Sequence, residues 1–217
     1  MRNPLLHPRA GRLTYGIREI VELAGRLRAL DKSLDFVGEN IGDPVAKGWE
    51  VPAFVRRIVR DLAGDRRSSV FGYTHSRGRL EARKWVAAYS RRHAPGSRLD
   101  GEHVLFCNGL GGGISIFYRM LRPGVRILQP QPGYPAHSST ESFAAGAPSI
   151  GYRLDPARGW APDLDHLESQ IRRHPKVAGI LLINPNNPTG TVYDRETLEA
   201  VVRLAERYQL MLISDEV

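Results

Sequence analysis

Residues 177–217 read VAGILLINPNNPTGTVYDRETLEAVVRLAERYQLMLISDEV, and the reading of this stretch decides the fold. VAGILLIN (177–184) is a near-continuous apolar run of strand length. PNNPTGTVY (185–193) is a cluster of turn formers, residues Asp194 to Tyr208 carry a helical pattern, and LMLISDEV (210–217) is a second apolar run. Uninterrupted apolarity marks a strand buried on both faces, so strand–helix–strand here implies parallel strands joined by a crossover helix.

The same alternation extends toward the N-terminus. HVLFCN (103–108) predicts a strand, GLGGG (109–113) a turn and ISIFYRML (114–121) a helix. VRILQP predicts a second strand, QPGYPAHSSTESFAAGA a loop running into a helix, and PSIGYRL a third strand ahead of a helix around Leu164 to Arg173. With 177–184 and 210–217 this makes five strands. Before them the spacing of Ile17, Ile20, Val21, Leu23, Ala24 and Leu27 predicts a helix over Thr14 to Leu30. Gly42-Asp43-Pro44 is a turn, and helical patterns recur over Pro52 to Leu62 and Arg77 to Arg92, separated by the loop SSVFGYTHSRG. The expectation is an α/β fold: a mostly parallel sheet with helices on both faces, preceded by an N-terminal helical segment.

Composition limits the function classes. With 217 residues, 41% hydrophobic and 25% charged, the chain is ordinary globular material; disorder, collagen and a disulfide scaffold are excluded. A single cysteine, Cys107, has no internal disulfide partner and falls in a strand expected to be buried, which makes it an inert thiol. The net charge is +8, and all but four of the 31 cationic residues are arginine. They are scattered through helical stretches, as solvated faces are, so no nucleic-acid partner is expected. No run approaches the roughly 18 apolar residues of a membrane span, and MRNPLLHPRAGRL lacks a signal-peptide core. A cytoplasmic protein without a membrane partner is the expectation. Because LMLISDEV ends as a strand with no helix after it, the chain also reads as a fragment.

In open α/β sheets ligands gather beyond the carboxyl ends of the strands. The first predicted strand delivers Asn108 and the glycine run Gly109 to Gly113 into a helix, where backbone N–H groups can meet an anion. The second delivers Gln131-Pro132-Gly133-Tyr134, the fourth Asn184 to Gly190, and the fifth Asp215 and Glu216. The glycine run imitates a dinucleotide fingerprint, but Ile114 replaces the last small residue and the next strand carries Gln129 where a ribose-binding acid belongs. A P-loop fails because no Gly-Lys pair exists, and hydrolase chemistry lacks a G-x-S-x-G elbow. The seven histidines show no ligand spacing with the cysteine, so no metal is expected. A planar, phosphorylated, cationic ring fits all these strand ends: phosphate at the helix start, ring face on Tyr134, phenolate oxygen on Asn187 and protonated ring nitrogen on Asp215. Pyridoxal 5'-phosphate has those features.

INPNNPTGTVY followed by a strand ending SDEV, with YGIRE near Tyr15, NIGDP around Gly42, FGYTHSRGRLEAR, NGLGGGI and QPGYP, resembles the fold-type I aminotransferases of class I/II. The resemblance runs from Leu13 to Val217 and is strongest to the alanine and tyrosine aminotransferase branch. It implies an N-terminal arm and part of a small domain over 1–50, and a cofactor-binding large domain over 51–217. It implies that Asp215 pairs with the pyridine nitrogen, that Tyr134 stacks on the ring, and that Asn187 binds the phenolate oxygen and the substrate carboxylate. By the same resemblance the amides of Leu110 and Gly111 hold the phosphate, with no side-chain hydroxyl in that turn. Tyr73 would reach the phosphate of the neighbouring subunit's cofactor in a homodimer, and Gly42 would let the backbone approach the substrate carboxylate. It also implies that the Schiff-base lysine lies beyond Val217, since none of Lys32, Lys47, Lys84 and Lys176 sits in the family's motif. Two readings follow: part of an aminotransferase moving an amino group between an amino acid and a 2-oxo acid, alanine and glutamate favoured, or a non-catalytic truncated or split-gene product.

Overall fold

A computed structural model describes residues 7–13, 16–38 and 42–217. The elements in chain order are α1 (Gly16–Leu30), α2 (Ala53–Ala63), α3 (Leu80–His93), α4 (Gly109–Met120), β1 (Arg126–Gln131) and α5 (Pro135–Ala145). They continue with β2 (Gly151–Asp155), β3 (Ala161–Pro162), α6 (Leu164–Arg173), β4 (Val177–Ile183), α7 (Arg195–Arg207) and β5 (Met211–Asp215). Two compact units result: the described residues up to Arg26 together with Asn108–Val217, and Leu27–Cys107.

The first unit is built on a sheet in the order β3-β2-β1-β4-β5, parallel throughout except for the two-residue β3, which returns antiparallel to β2. The strand residues explain the two-sided burial. Along β4, Ile180 and Leu182 face one side and Leu181 and Ile183 the other, all fully or nearly fully buried. On the first side they meet Leu128, Tyr152 and Leu154 together with Leu167 and Ile171 of α6 and Val201, Leu204 and Ala205 of α7. On the second side they meet Ile127, Ile114 and Tyr118 of α4, and Ala136 and Ala144 of α5. Each fully buried aliphatic side chain of this kind contributes about 1.5–3 kcal/mol, so the covering helices are held chiefly by this period-two alternation.

Local chemistry sets the helix ends. Asp163 and Asp194 accept the backbone N–H of His166 and Thr197, capping α6 and α7. Pro135 opens α5 at a position that needs no donor, and Gly146 at φ +74° closes it in the left-handed region. Gly179 lies where β4 meets β5; a Cβ there would stand 3.0 Å from the Met211 carbonyl oxygen and 2.9 Å from Ile127 Cδ1. Inside the second side, Glu141 of α5 is almost completely buried and accepts from Arg126 Nε at 2.7 Å and Nη2 at 3.1 Å, pinning α5 to the start of β1.

The strand expected over 103–108 is a correction. Residues 101–103 form a short 3-10 turn, Val104 leaves it extended, and 104–107 belong to no strand and have no sheet partner among the described residues. An apolar run signals extended chain, but a strand also needs a ladder, and here Phe106 N–H instead donates to the Arg77 carbonyl at 3.1 Å. Cys107 is therefore exposed rather than buried. In this second unit the buried Arg83 of α3 donates to the carbonyls of Gly78 and Gly101 and to Glu102, tying helix and turn together. Among the described residues no helix is long and apolar enough to cross a membrane.

Candidate functional site

The chain leaves β1 to build β2 on one side and then returns to build β4 on the other, so the strand order reverses between β1 and β4. Beyond the carboxyl ends at such a switch point no loop crosses over, and a crevice opens. The loops after β1 and β4 and the end of β5 all arrive there.

Asp215, the last residue of β5, is paired in register with Ile183, and its carbonyl accepts the Asn184 N–H at 2.9 Å. Its carboxylate is 5% exposed. Oδ1 accepts the Val217 N–H at 3.2 Å, and Oδ2 lies 3.1 Å from His137 Nε2. Among the described residues His137 is its one partner at ion-pair distance. Burial pushes the His137 pKa below the ordinary value of 6.5, against the opposing pull of the Asp215 hydrogen bond and charge. The imidazole is thus neutral near pH 7, and the buried carboxylate has no cation beside it.

His137 lies one helical turn after Tyr134, whose ring meets it edge-on with centroids 6.2 Å apart. Tyr134 is half-buried against the same apolar cluster as Leu110, Ile114 and Tyr118. That cluster brings the loop after β1 to the head of α4. The helix starts at Gly109, in the left-handed region at φ +64°, and Asn108 makes no side-chain cap. Its first N–H groups therefore have no side-chain acceptor at the cap, and Gly111 has open space where a Cβ would stand. This is an anion-accepting helix start with room for close approach.

The loop after β4 is built on two of its three asparagines. Asn184 Oδ1 accepts the Tyr193 N–H at 2.9 Å. Asn186 is buried; its Oδ1 accepts the N–H and hydroxyl of Thr189, and its backbone bonds to Gly190 and Thr191. Its Nδ2 and the Tyr193 hydroxyl are buried without a hydrogen bond of normal geometry. Burial raises the Tyr193 pKa to about 12, and the nearby Asn186 amide opposes that rise. Asn187, between them in the loop, is exposed.

The structure therefore brings Leu110, Gly111, Tyr134 and Asp215 to the same end of one sheet, with Asn187 on the loop that leaves β4 there. Gly42 and Tyr73 belong to the other unit, where Tyr73 is fully exposed. The YGIRE and NIGDP stretches lie partly outside the described residues, at Tyr15, Asn40 and Ile41. Sequence reading missed His137 and Asn186. The usable signal for His137 was its place three residues after Tyr134, on the same helical face. The donor set suits a phosphorylated, cationic aromatic ring: an open helix start for the phosphate, an aromatic face and a buried carboxylate whose one ion-pair-distance partner among the described residues is the neutral His137.

These features define a doubly wound α/β sheet with its ligand crevice at the switch point. Residues 40–217 match the family described as aminotransferase class I and II, and the chain belongs to that family. It is 40% identical over 217 residues to an uncharacterized aminotransferase of Methanocaldococcus jannaschii, covering all of this chain and 49% of that protein. It is 37% identical over 180 residues to the alanine aminotransferase of Mycobacterium tuberculosis, covering 82% of this chain and 40% of the relative. A solved alanine aminotransferase from Pyrococcus furiosus superimposes with a TM-score of 0.82 at 29% identity, over 98% of this chain and 52% of that one. The chain spans about half the length of the curated relatives it matches.

Proposed function

We propose that these residues form the cofactor-binding part of a pyridoxal-phosphate-dependent aminotransferase that moves an amino group between an amino acid and a 2-oxo acid, with alanine and glutamate as favoured substrates. The observation that carries this reading is the buried Asp215 carboxylate, which has no cation beside it among the described residues, at the same sheet end as an uncapped helix start and Tyr134. The name alanine aminotransferase on two of the similar proteins supports the substrate class.

When bound, the cofactor supplies an electron-withdrawing ring that stabilises negative charge developing at the substrate's α-carbon. Asp215 holds the ring nitrogen protonated, because a carboxylate at low dielectric favours an adjacent cation. His137 keeps that carboxylate oriented through its Nε2–H. Tyr134 covers the ring face, Asn187 donates to the phenolate oxygen and helps position the substrate carboxylate, and the N–H groups of Leu110 and Gly111 take the phosphate. In a dimer Tyr73 reaches the neighbouring subunit's phosphate, and Gly42 lets the backbone approach the substrate carboxylate. Residues 51–217 form the large domain in this reading, and 1–50 the arm and part of the small domain.

One observation favours the second reading, a chain that binds cofactor without turnover. The family resemblance assigns proton transfer at the α-carbon to a lysine acting as general base, and in the sheet-bearing unit the lysine is Lys176, which precedes β4 and so lies at the opposite end of the sheet from Asp215. Titration with pyridoxamine 5'-phosphate separates binding from surface-lysine chemistry, since this form carries no aldehyde. Saturable binding competed by inorganic phosphate supports the cofactor site, and absence of binding refutes it. Alanine and 2-oxoglutarate added to the cofactor-loaded chain then distinguish turnover from binding alone.

A further inference from the structure

Behind His137 the buried polar side chains continue. Gln129, 4% exposed on β1, has its Nε2 assigned toward the Tyr118 hydroxyl at 3.3 Å. Tyr118, 2% exposed on α4, lies with its hydroxyl 3.5 Å from His137 Nδ1. The direction of these bonds follows from what each group can do. An amide nitrogen only donates, so the Tyr118 oxygen is the acceptor toward Gln129, and its single O–H is left for His137. A ring nitrogen that accepts a proton donor is itself unprotonated, which puts the imidazole proton on Nε2, facing Asp215 Oδ2 at 3.1 Å.

We propose that Gln129 and Tyr118 are positioning residues that fix His137 in its neutral, Nε2-protonated form, so that it orients Asp215 without cancelling the carboxylate's charge. This rests on the reading of Asp215 as the partner of a cationic ring. Protonating Nδ1 would aim a second N–H at the Tyr118 oxygen, beside that of Gln129, and leave the phenolic O–H without an acceptor until the Gln129 amide turned over to present its oxygen. An imidazolium at this place would neutralise the Asp215 carboxylate; a neutral donor leaves its full charge. The groups facing His137 from the packed elements agree with this. They are Asp215 from β5, Tyr118 from α4 and the Tyr134 ring at the head of α5. Glu141, one turn further along α5, is engaged by Arg126. The Tyr118 hydroxyl stays protonated, since burial and the Glu141 charge both raise its pKa.

The test is a pH titration of the ligand-free 217-residue chain labelled with nitrogen-15 at histidine. At neutral pH the His137 Nδ1 is expected at the pyridine-type shift and Nε2 at the pyrrole-type shift. Tyr118→Phe removes the donor to Nδ1 and raises the His137 pKa by about one unit or more, a tenfold change in protonation. Gln129→Glu supplies an acceptor that turns the Tyr118 O–H away from His137, and raises the pKa at least as far. His166, whose Nδ1 accepts the Arg153 N–H at 3.0 Å, reports on the same spectra whether each variant is folded. If Tyr118→Phe loses that signature, Gln129→Glu decides the question. A doubly protonated His137 in the native chain at neutral pH, or one pKa shared by native and folded variants, overturns the proposal. Failure of pyridoxamine 5'-phosphate to bind would instead sink the functional reading and leave the tautomer result standing.

Discussion

Replacing Asp215 by Asn separates the fold from the ligand. The side chain keeps its shape, and its carbonyl oxygen still accepts from His137 Nε2, so the buried donor at 3.1 Å stays satisfied. The amide NH2 then replaces the oxygen that accepts the part-buried Val217 N–H at 3.2 Å, so the expected stability cost is that of one such bond, about 1 kcal/mol. What disappears is the charge that the proposed function sets against the ring nitrogen. A hydrogen bond between charged groups contributes about 1.5–3 kcal/mol, which converts to a loss of about 10- to 150-fold in affinity. Equilibrium dialysis with pyridoxamine 5'-phosphate measures that loss, and urea unfolding of the same samples measures stability. An analogue with carbon in place of the ring nitrogen completes a double-mutant cycle. It binds the native chain weakly, and Asp215→Asn weakens it no further. Equal affinity of native chain and variant for pyridoxamine 5'-phosphate refutes the assignment, as does an equal penalty with both ligands.

Gly111→Val fills the open space at the start of α4 and is expected to raise the pyridoxamine 5'-phosphate dissociation constant about tenfold or more, with little change in urea midpoint. Glu141→Ala strands the Arg126 guanidinium against β1 and is expected to cost about 3–5 kcal/mol in urea unfolding, whereas an Arg126→Met, Glu141→Leu double variant recovers most of the loss. Gly179→Ala drives a methyl against the Met211 carbonyl and is expected to cost about 1–3 kcal/mol by the same measurement. The depressed pKa of His137 means that the unfolded chain binds the extra proton first; stability is full above the unfolded value of 6.5 and falls as pH drops through it toward the folded pKa. A flat urea midpoint between pH 7 and pH 5 contradicts this.

The stretch 177–217 was legible because several independent signals agree there. Apolar strands bound it, asparagine, proline and glycine make the turn, and Asp194 caps the helix as its side chain suggests. Residues 103–108 show the limit of that reading: Leu105 and Phe106 have strand-like character, but pairing depends on an available edge, which local sequence does not encode. The site divides in the same way. Leu110, Gly111, Tyr134, Asn187 and Asp215 stand at element ends, where a topological rule points. His137 meets Asp215 across 78 residues of chain, a contact that depends on how α5 docks on the sheet. Asn186, next to Asn187 in the same turn, builds the loop through its burial and its bonds to Thr189, which the sequence does not show.

The central claim is that Asp215 holds a protonated ring nitrogen at the end of β5. Its most direct test is the nitrogen-15 spectrum of pyridoxamine 5'-phosphate labelled at the ring nitrogen and bound to this chain. The account predicts a pyridinium-type shift that persists above the pH at which the free compound loses its ring proton, and that reverts to the pyridine type in Asp215→Asn. A ring nitrogen that titrates in the bound state as it does in free solution, or one indifferent to the substitution, would contradict it.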